Sequence, residues 1–222
     1  MRVLRSAQER DGRCGFGICV ALEKEVHRAV ASGGLRSRWM EGLEEQVDRV
    51  LAPWGGQLGR DRDAYANHVL RVLDLCDLLH HRSGADEESP PTSRVEFLVA
   101  GACHDLGIWT AGTFDYLGPS VALARDVLDR RGRPDLESVV AAMIEQHHKL
   151  RSAGPPGSPV ELFRRADTVD VTFGGRRFGL PHREYRAVLS RYPDRGFHPL
   201  LVALAAKRLR THPFSPLPML KW

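Results

Sequence analysis

Apolar residues recur along this chain every three to four positions, and alternating strand-like runs are scarce. The pattern predicts helices near 17–32, 37–52, 63–81, 93–105, 119–131, 135–150, 159–172, 183–191 and 198–211. Breakers stand between them: Gly33-Gly34, Pro53 with Gly55-Gly56, Pro90-Pro91, Gly118-Pro119, Gly132, Pro155-Pro156 and Gly174-Gly175. Asp135 and Ser158 occupy positions where helix N-caps belong. The expected fold class is therefore all-α, a helical bundle. Residues 1–35, Arg-rich at the start and weakly patterned, are expected to be a loosely attached segment, and 36–222 a single domain. The Pro-rich end, 213–222, is expected to run as an extended strap over the domain.

Several of these helices carry metal-ligand residue types where an apolar residue is expected. On a helical wheel of about 100° per residue, Tyr65, Val69, Val72, Leu73, Cys76 and Leu79 share a face, and His68 flanks it. The run Phe97–Cys103 is apolar all round and ends in His104-Asp105, with Gly107 two residues on to turn the chain. On the predicted helix 135–150 His147 falls near the centre of the apolar face, His148 at its edge, and Glu145 points away. Asp167 lies among Val160, Phe163 and Val171, with Asp170 and Arg164 bordering that face. A buried carboxylate beside a buried imidazole is costly unless both share a strong partner. Inward N and O donors on separate segments point to a cation as that partner. Imidazole with carboxylate suits Mn, Fe, Co, Ni or Zn rather than Ca.

Composition narrows the picture. The 222 residues are 42% hydrophobic and 27% charged, enough for a real core, and the net charge is +4. The excess is mild, and no Lys/Arg run with interleaved aromatics suggests a nucleic-acid partner. A small anionic substrate suits it better. Four cysteines, Cys14, Cys19, Cys76 and Cys103, form no CxxC pair, which fits a reducing compartment. No stretch approaches a membrane span and the start is a poor signal peptide, so a cytoplasmic location is expected. The amphipathic helices at 17–32 and 198–211 are expected either to pack on the domain or to form a homodimer contact.

A lone His68, then the adjacent pair in Ala102-Cys103-His104-Asp105-Leu106-Gly107, then Asp167, each on its own helix, resembles the HD-domain superfamily of metal-dependent phosphohydrolases. The resemblance covers about residues 60–172, with the N- and C-terminal helices as additions. It implies a helical bundle with one or two metals at its centre, held by His68, His104, Asp105 and Asp167. It also implies hydrolysis of a phosphate ester, often a nucleotide, by metal-activated water. Members with two metals place further histidines at separate points between the HD pair and the last Asp. Here the one such cluster is His147-His148, which favours one metal, with either histidine as an extra ligand or substrate contact. The Glu that some members carry just after the HD pair is absent.

The general acid or base is expected among Asp170, Asp115 and His147. Arg71, Lys149 and Arg164 are candidate anion contacts, and Trp109 and Tyr116 candidate stacking residues in the loop after the HD pair, where they could equally seal the bundle end. Two other readings stay open: a di-iron oxygenase of the same superfamily, for which His147 and His148 would both serve, and a non-catalytic module that binds metal or a nucleotide.

Overall fold

The computed structural model describes residues 34–84, 89–113, 115–213 and 219–220. The helix expected at 17–32, nearly all of the segment 1–35 and most of the Pro-rich end lie outside the described residues. The chain divides into two compact units, Met1–Gly42 and Leu43–Trp222. Of the first, residues 34–42 are described, in helix; everything below concerns the second.

The described residues are all-α, as the apolar spacing predicts. The helices are α1 (Gly34–Leu51), α2 (Gly55–Leu58), α3 (Arg62–Arg82), α4 (Val95–Cys103), α5 (Gly107–Thr110), α6 (Leu117–Arg130), α7 (Glu137–Gln146), α8 (Pro159–Val171), α9 (His182–Arg191) and α10 (Phe197–Thr211). In α1, Leu43, Val47, Val50 and Leu51 are buried, the spacing of one helical face. Helix α3 differs from the wheel reading, because burial runs nearly all the way round it between Ala64 and Cys76. It is a central helix. It packs chiefly on α8; α8 packs on α7, α7 on α6 and α4, and α4 back on α3. These helices enclose the core into which His68, His104, His147 and Asp167 all point.

Local chemistry explains the helix ends. Ser158 accepts from the Glu161 N–H and caps α8, with Pro159 in the first helical turn. Asp135 does not cap α7. Pro134 opens a 3₁₀ turn over Pro134–Leu136, and the Asp135 carboxylate instead takes two hydrogen bonds from Arg133, at 2.9 and 2.8 Å. Helix α7 stops at Gln146, earlier than the predicted 150. His147 keeps a helical backbone at its C-cap, and the chain then turns through His148. Gly107 is needed for a reason other than turning the chain. A Cβ there would lie 2.6 Å from the Tyr116 carbonyl oxygen. Its absence lets the segment carrying Tyr116 close over the HD pair, where the Gly107 N–H donates to Ser120 Oγ at 3.0 Å. No helix among the described residues is long and apolar enough to cross a membrane.

Candidate metal centre

Six residues meet at the centre of the bundle: His68 from α3, His104 and Asp105 from the end of α4, His147 and His148 from the end of α7, and Asp167 from α8. All are fully buried except His148, which is partly exposed. Three overlapping trios, His68/His104/Asp167, His104/Asp105/His147 and His147/His148/Asp167, each bring ligand atoms within 4.8 Å of one another. His104 Nε2 lies 3.4 Å from Asp105 Oδ2 and 3.8 Å from Asp167 Oδ1. His68 Nε2 lies 3.6 Å from Asp167 Oδ1, and His147 Nε2 3.5 Å from Asp105 Oδ1.

The hydrogen bonds behind these rings decide which nitrogen faces inward. His68 Nδ1 donates to Asp170 Oδ2 at 2.7 Å, His104 Nδ1 to the Gly101 carbonyl at 2.8 Å, and His147 Nδ1 to the Ile144 carbonyl at 2.6 Å. In each neutral ring the proton is thereby placed on Nδ1, and Nε2 presents a lone pair to the centre. The Nε2 atoms of His68 and His104 lie 3.0 Å apart. Asp105 Oδ1, His147 Nε2 and both Asp167 carboxylate oxygens are buried with no hydrogen-bond partner. A dry core does not leave convergent acceptors without a donor; a cation satisfies all of them at once. The donor set, imidazole and carboxylate without thiolate, fits a divalent transition metal. His148 is arranged differently. Its Nδ1 lies 3.6 Å from Asp167 Oδ2, while its Nε2 meets the Tyr116 hydroxyl at 2.8 Å.

The electrostatics reflect the same crowding. Burial pushes the Asp167 carboxyl up, whereas Asp105, buried too, is held well below the usual range by His104 and His147. Burial works against charge on His104, yet the Asp105 and Asp167 carboxylates lift its pKa to about 9. Without a metal, then, the cluster recruits a proton to the place where a cation belongs. Burial lowers His68 to about 4 and His148 well below its ordinary value, which leaves both as neutral rings.

The positions expected to act on substrate divide. Asp170 does not reach the centre as a free acid. Its carboxylate holds His68 and takes two bonds from Arg71, Nε at 2.7 Å and Nη2 at 2.9 Å. Burial alone would raise it, but those bonds keep it well below the carboxylate range, so the expectation of a proton donor is corrected. Arg71 is corrected with it: it is fully buried, its Nη1 goes to the Tyr192 and Pro193 carbonyls, and its Nη2 also lies 3.9 Å from Asp194, so the guanidinium is held by protein acceptors rather than offered to an anion. Arg164 is equally committed, to both Glu161 oxygens at 2.8 Å and to the Lys149 carbonyl. Trp109 turns outward from the centre. Its Nε1–H donates to Asp61, and its ring packs on Tyr65 with centroids 4.8 Å apart, so it seals the bundle end. Asp115 is exposed and is in none of the ligand trios, and Lys149 is half-buried. Tyr116 is at the centre, but as a partner of His148 rather than a free stacking face.

Two residues were not anticipated. The Phe197 ring stacks on His68, centroids 3.9 Å apart and planes 13° from parallel. His198 Nε2 donates to the Asp170 carbonyl at 2.9 Å, and its Nδ1 faces Asp194. Their only sequence signal is an aromatic and a His at the start of an amphipathic helix. That does not point to His68, more than a hundred positions earlier, or to Asp170 on another helix.

A cavity of about 290 Å³ opens from the cluster, with Asp105, Tyr116 and His148 in its wall. Compared with known families, residues 65–172 match the model described as HD domain. No curated protein and no solved structure matches the chain.

Proposed function

Residues 65–172 belong to the HD-domain superfamily, and from that premise we propose that the chain is a metal-dependent phosphohydrolase acting on a small phosphate ester. One observation carries the reading: four buried ligand atoms without partners converge where the Nε2 atoms of His68 and His104 already lie 3.0 Å apart. His68, His104, Asp105 and Asp167 would hold the metal, with His147 and His148 as further ligands. Mn, Fe, Co, Ni and Zn all suit this set.

A divalent metal held there supplies Lewis acidity toward a phosphoryl oxygen and acidifies water. The chain's own residues prepare the place. Asp170, fixed by Arg71, locks the tautomer and direction of His68, and backbone carbonyls do so for His104 and His147. Tyr116 does the same for His148, whose Nε2 meets the hydroxyl at 2.8 Å. Burial, and then the Asp105 charge, raise the Tyr116 hydroxyl well above its ordinary pKa, so it stays protonated and can hold that geometry. The apolar walls exclude water, which strengthens the pull of the site on a phosphoryl anion.

The test is phosphate release by metal-loaded protein from a panel of phosphate esters. The expected result is release that a chelator abolishes and added metal restores. Metal-loaded protein that releases phosphate from no ester would sink the hydrolase reading.

A second reading has a specific observation in its favour. His147 and His148 both reach the cluster, so six side chains rather than four surround it. That is enough for two ions and keeps the di-iron oxygenase open. Two irons per chain with a visible absorption band and oxygen uptake would decide for it.

A further inference from the structure

The cavity beside the cluster is built for a different kind of molecule than the nucleotide expected from the sequence. Apart from Asp105, Tyr116 and His148, its described lining is apolar, including Ile108, Val171, Leu201, Val202, Met219 and Leu220. Among the described lining residues there is no Lys, Arg, Asn, Gln, Ser or Thr. A nucleobase is read through hydrogen bonds to its edges, and a ribose brings hydroxyls that lose water on entry. This wall answers neither. The one hydroxyl it offers is already bonded to His148. The two arginines that might have received extra phosphates, Arg71 and Arg164, are spent in buried ion pairs. Lys207 and Arg208 line a separate cavity that shares only Ile108 with this one.

The mouth has the same character. Val202 is 62% exposed and Leu220 41% exposed, large apolar side chains that a soluble domain ordinarily covers. Both line the cavity. Met219 packs with Ile108, Tyr116 and Leu117 on its inner side. Apolar side chains thus line the cavity from these two exposed residues to Ile108 and Met219.

We propose that the site takes a phosphate monoester whose leaving group is an uncharged alkyl or aryl alcohol, with the phosphoryl group at the cluster and the apolar tail against Ile108, Leu201 and Val202. This rests on the phosphohydrolase reading. The volume admits roughly ten water-sized groups, the size of a short alkyl chain or one aromatic ring. Hydrolysis breaks the bond from phosphorus to the ester oxygen. Water supplies the oxygen that stays on phosphate and the proton that leaves with the alcohol.

The experiment is calorimetric binding of n-alkylphosphonates, from methyl to octyl, to metal-loaded protein, alongside phosphate release from hexyl phosphate, p-nitrophenyl phosphate, AMP and ATP. The expected result is a ladder, about fourfold tighter per methylene until the cavity is filled, and kcat/KM for hexyl phosphate above that for either nucleotide. Ala205→Phe should cut the ladder short while metal content stays unchanged, which separates a filled cavity from a misfolded chain. A flat ladder, or nucleotides preferred, would overturn the apolar class and leave the hydrolase reading standing. A ladder with no phosphate released from any ester would support the apolar class and remove the hydrolase reading.

Discussion

Helix α8 buries four polar side chains at three-residue intervals, Glu161, Arg164, Asp167 and Asp170, and they divide into two kinds. Three are satisfied within the protein. Glu161 takes both Arg164 bonds, one from Arg165 and one from the Ala153 N–H. Asp170 takes two from Arg71 and one from His68. Asp167, on the same helix and equally buried, has no partner on either oxygen. Burial lifts its pKa, while the bonds around Glu161 and Asp170 overcome the same effect and lower theirs. A closed network fixes structure; an open one waits for a ligand. The difference is not visible in burial or residue type, only in where the hydrogen bonds end.

Substitutions at the two kinds of site should therefore fail in opposite ways. The largest effect belongs to the open one. Asp167→Asn should lose bound metal and all metal-dependent activity. In chelator-treated protein, however, it should unfold no more easily than the parent, since it removes a buried carboxylate with no hydrogen-bond partner. Elemental analysis and thermal unfolding together check this. Arg71→Met should do the reverse. It leaves Asp170 buried with half its partners gone, a cost of about 3–5 kcal/mol in unfolding free energy. Because the Asp170 carboxylate that orients His68 is no longer fixed, metal affinity should also fall, by roughly 10- to 100-fold.

Glu161 sharpens the contrast through pH. Its pKa is held near 2 against an ordinary 4.5. The stability it contributes is thus present above pH 4.5 and is lost as pH falls through that window toward 2. Glu161→Gln should cost on the order of 2–3 kcal/mol at neutral pH. It should flatten the acid limb of the stability curve and leave metal content unchanged. The smallest effect is expected at Tyr116→Phe: about tenfold weaker metal binding, with an unfolding midpoint in chelator close to the parent's. A large loss of stability there would mean that Tyr116 serves packing rather than His148.

How far all this can be read from the chain depends on the range of the interaction. The apolar period gives the helices, and the Ser158 cap with its following Pro159 gives the start of α8, because these signals lie within one turn. Asp135 carries an equally good local signal, but Pro134 and Arg133 divert it. The convergence of His68, His104, Asp105 and Asp167 is legible through their inward phase and order. Arg71 and Arg164 show the limit: a wheel places them at the border of the inner face but does not reveal what meets them. For Arg164 a clue existed, since Glu161 and Arg164 are spaced for an ion pair on one helix. For Arg71 none did, because Asp170 comes from another helix ninety-nine positions away. The Tyr116–His148 contact, which depends on Gly107 allowing a close approach, is hidden for the same reason.

The central claim is that the open cluster is a metal centre, and metal content per chain tests it most directly. Protein prepared without chelators should contain one or two transition-metal ions per chain by elemental analysis, and the Asp167→Asn chain should contain none. No metal in the parent chain, even after reconstitution with Mn, Fe, Co, Ni and Zn in turn, would contradict the account.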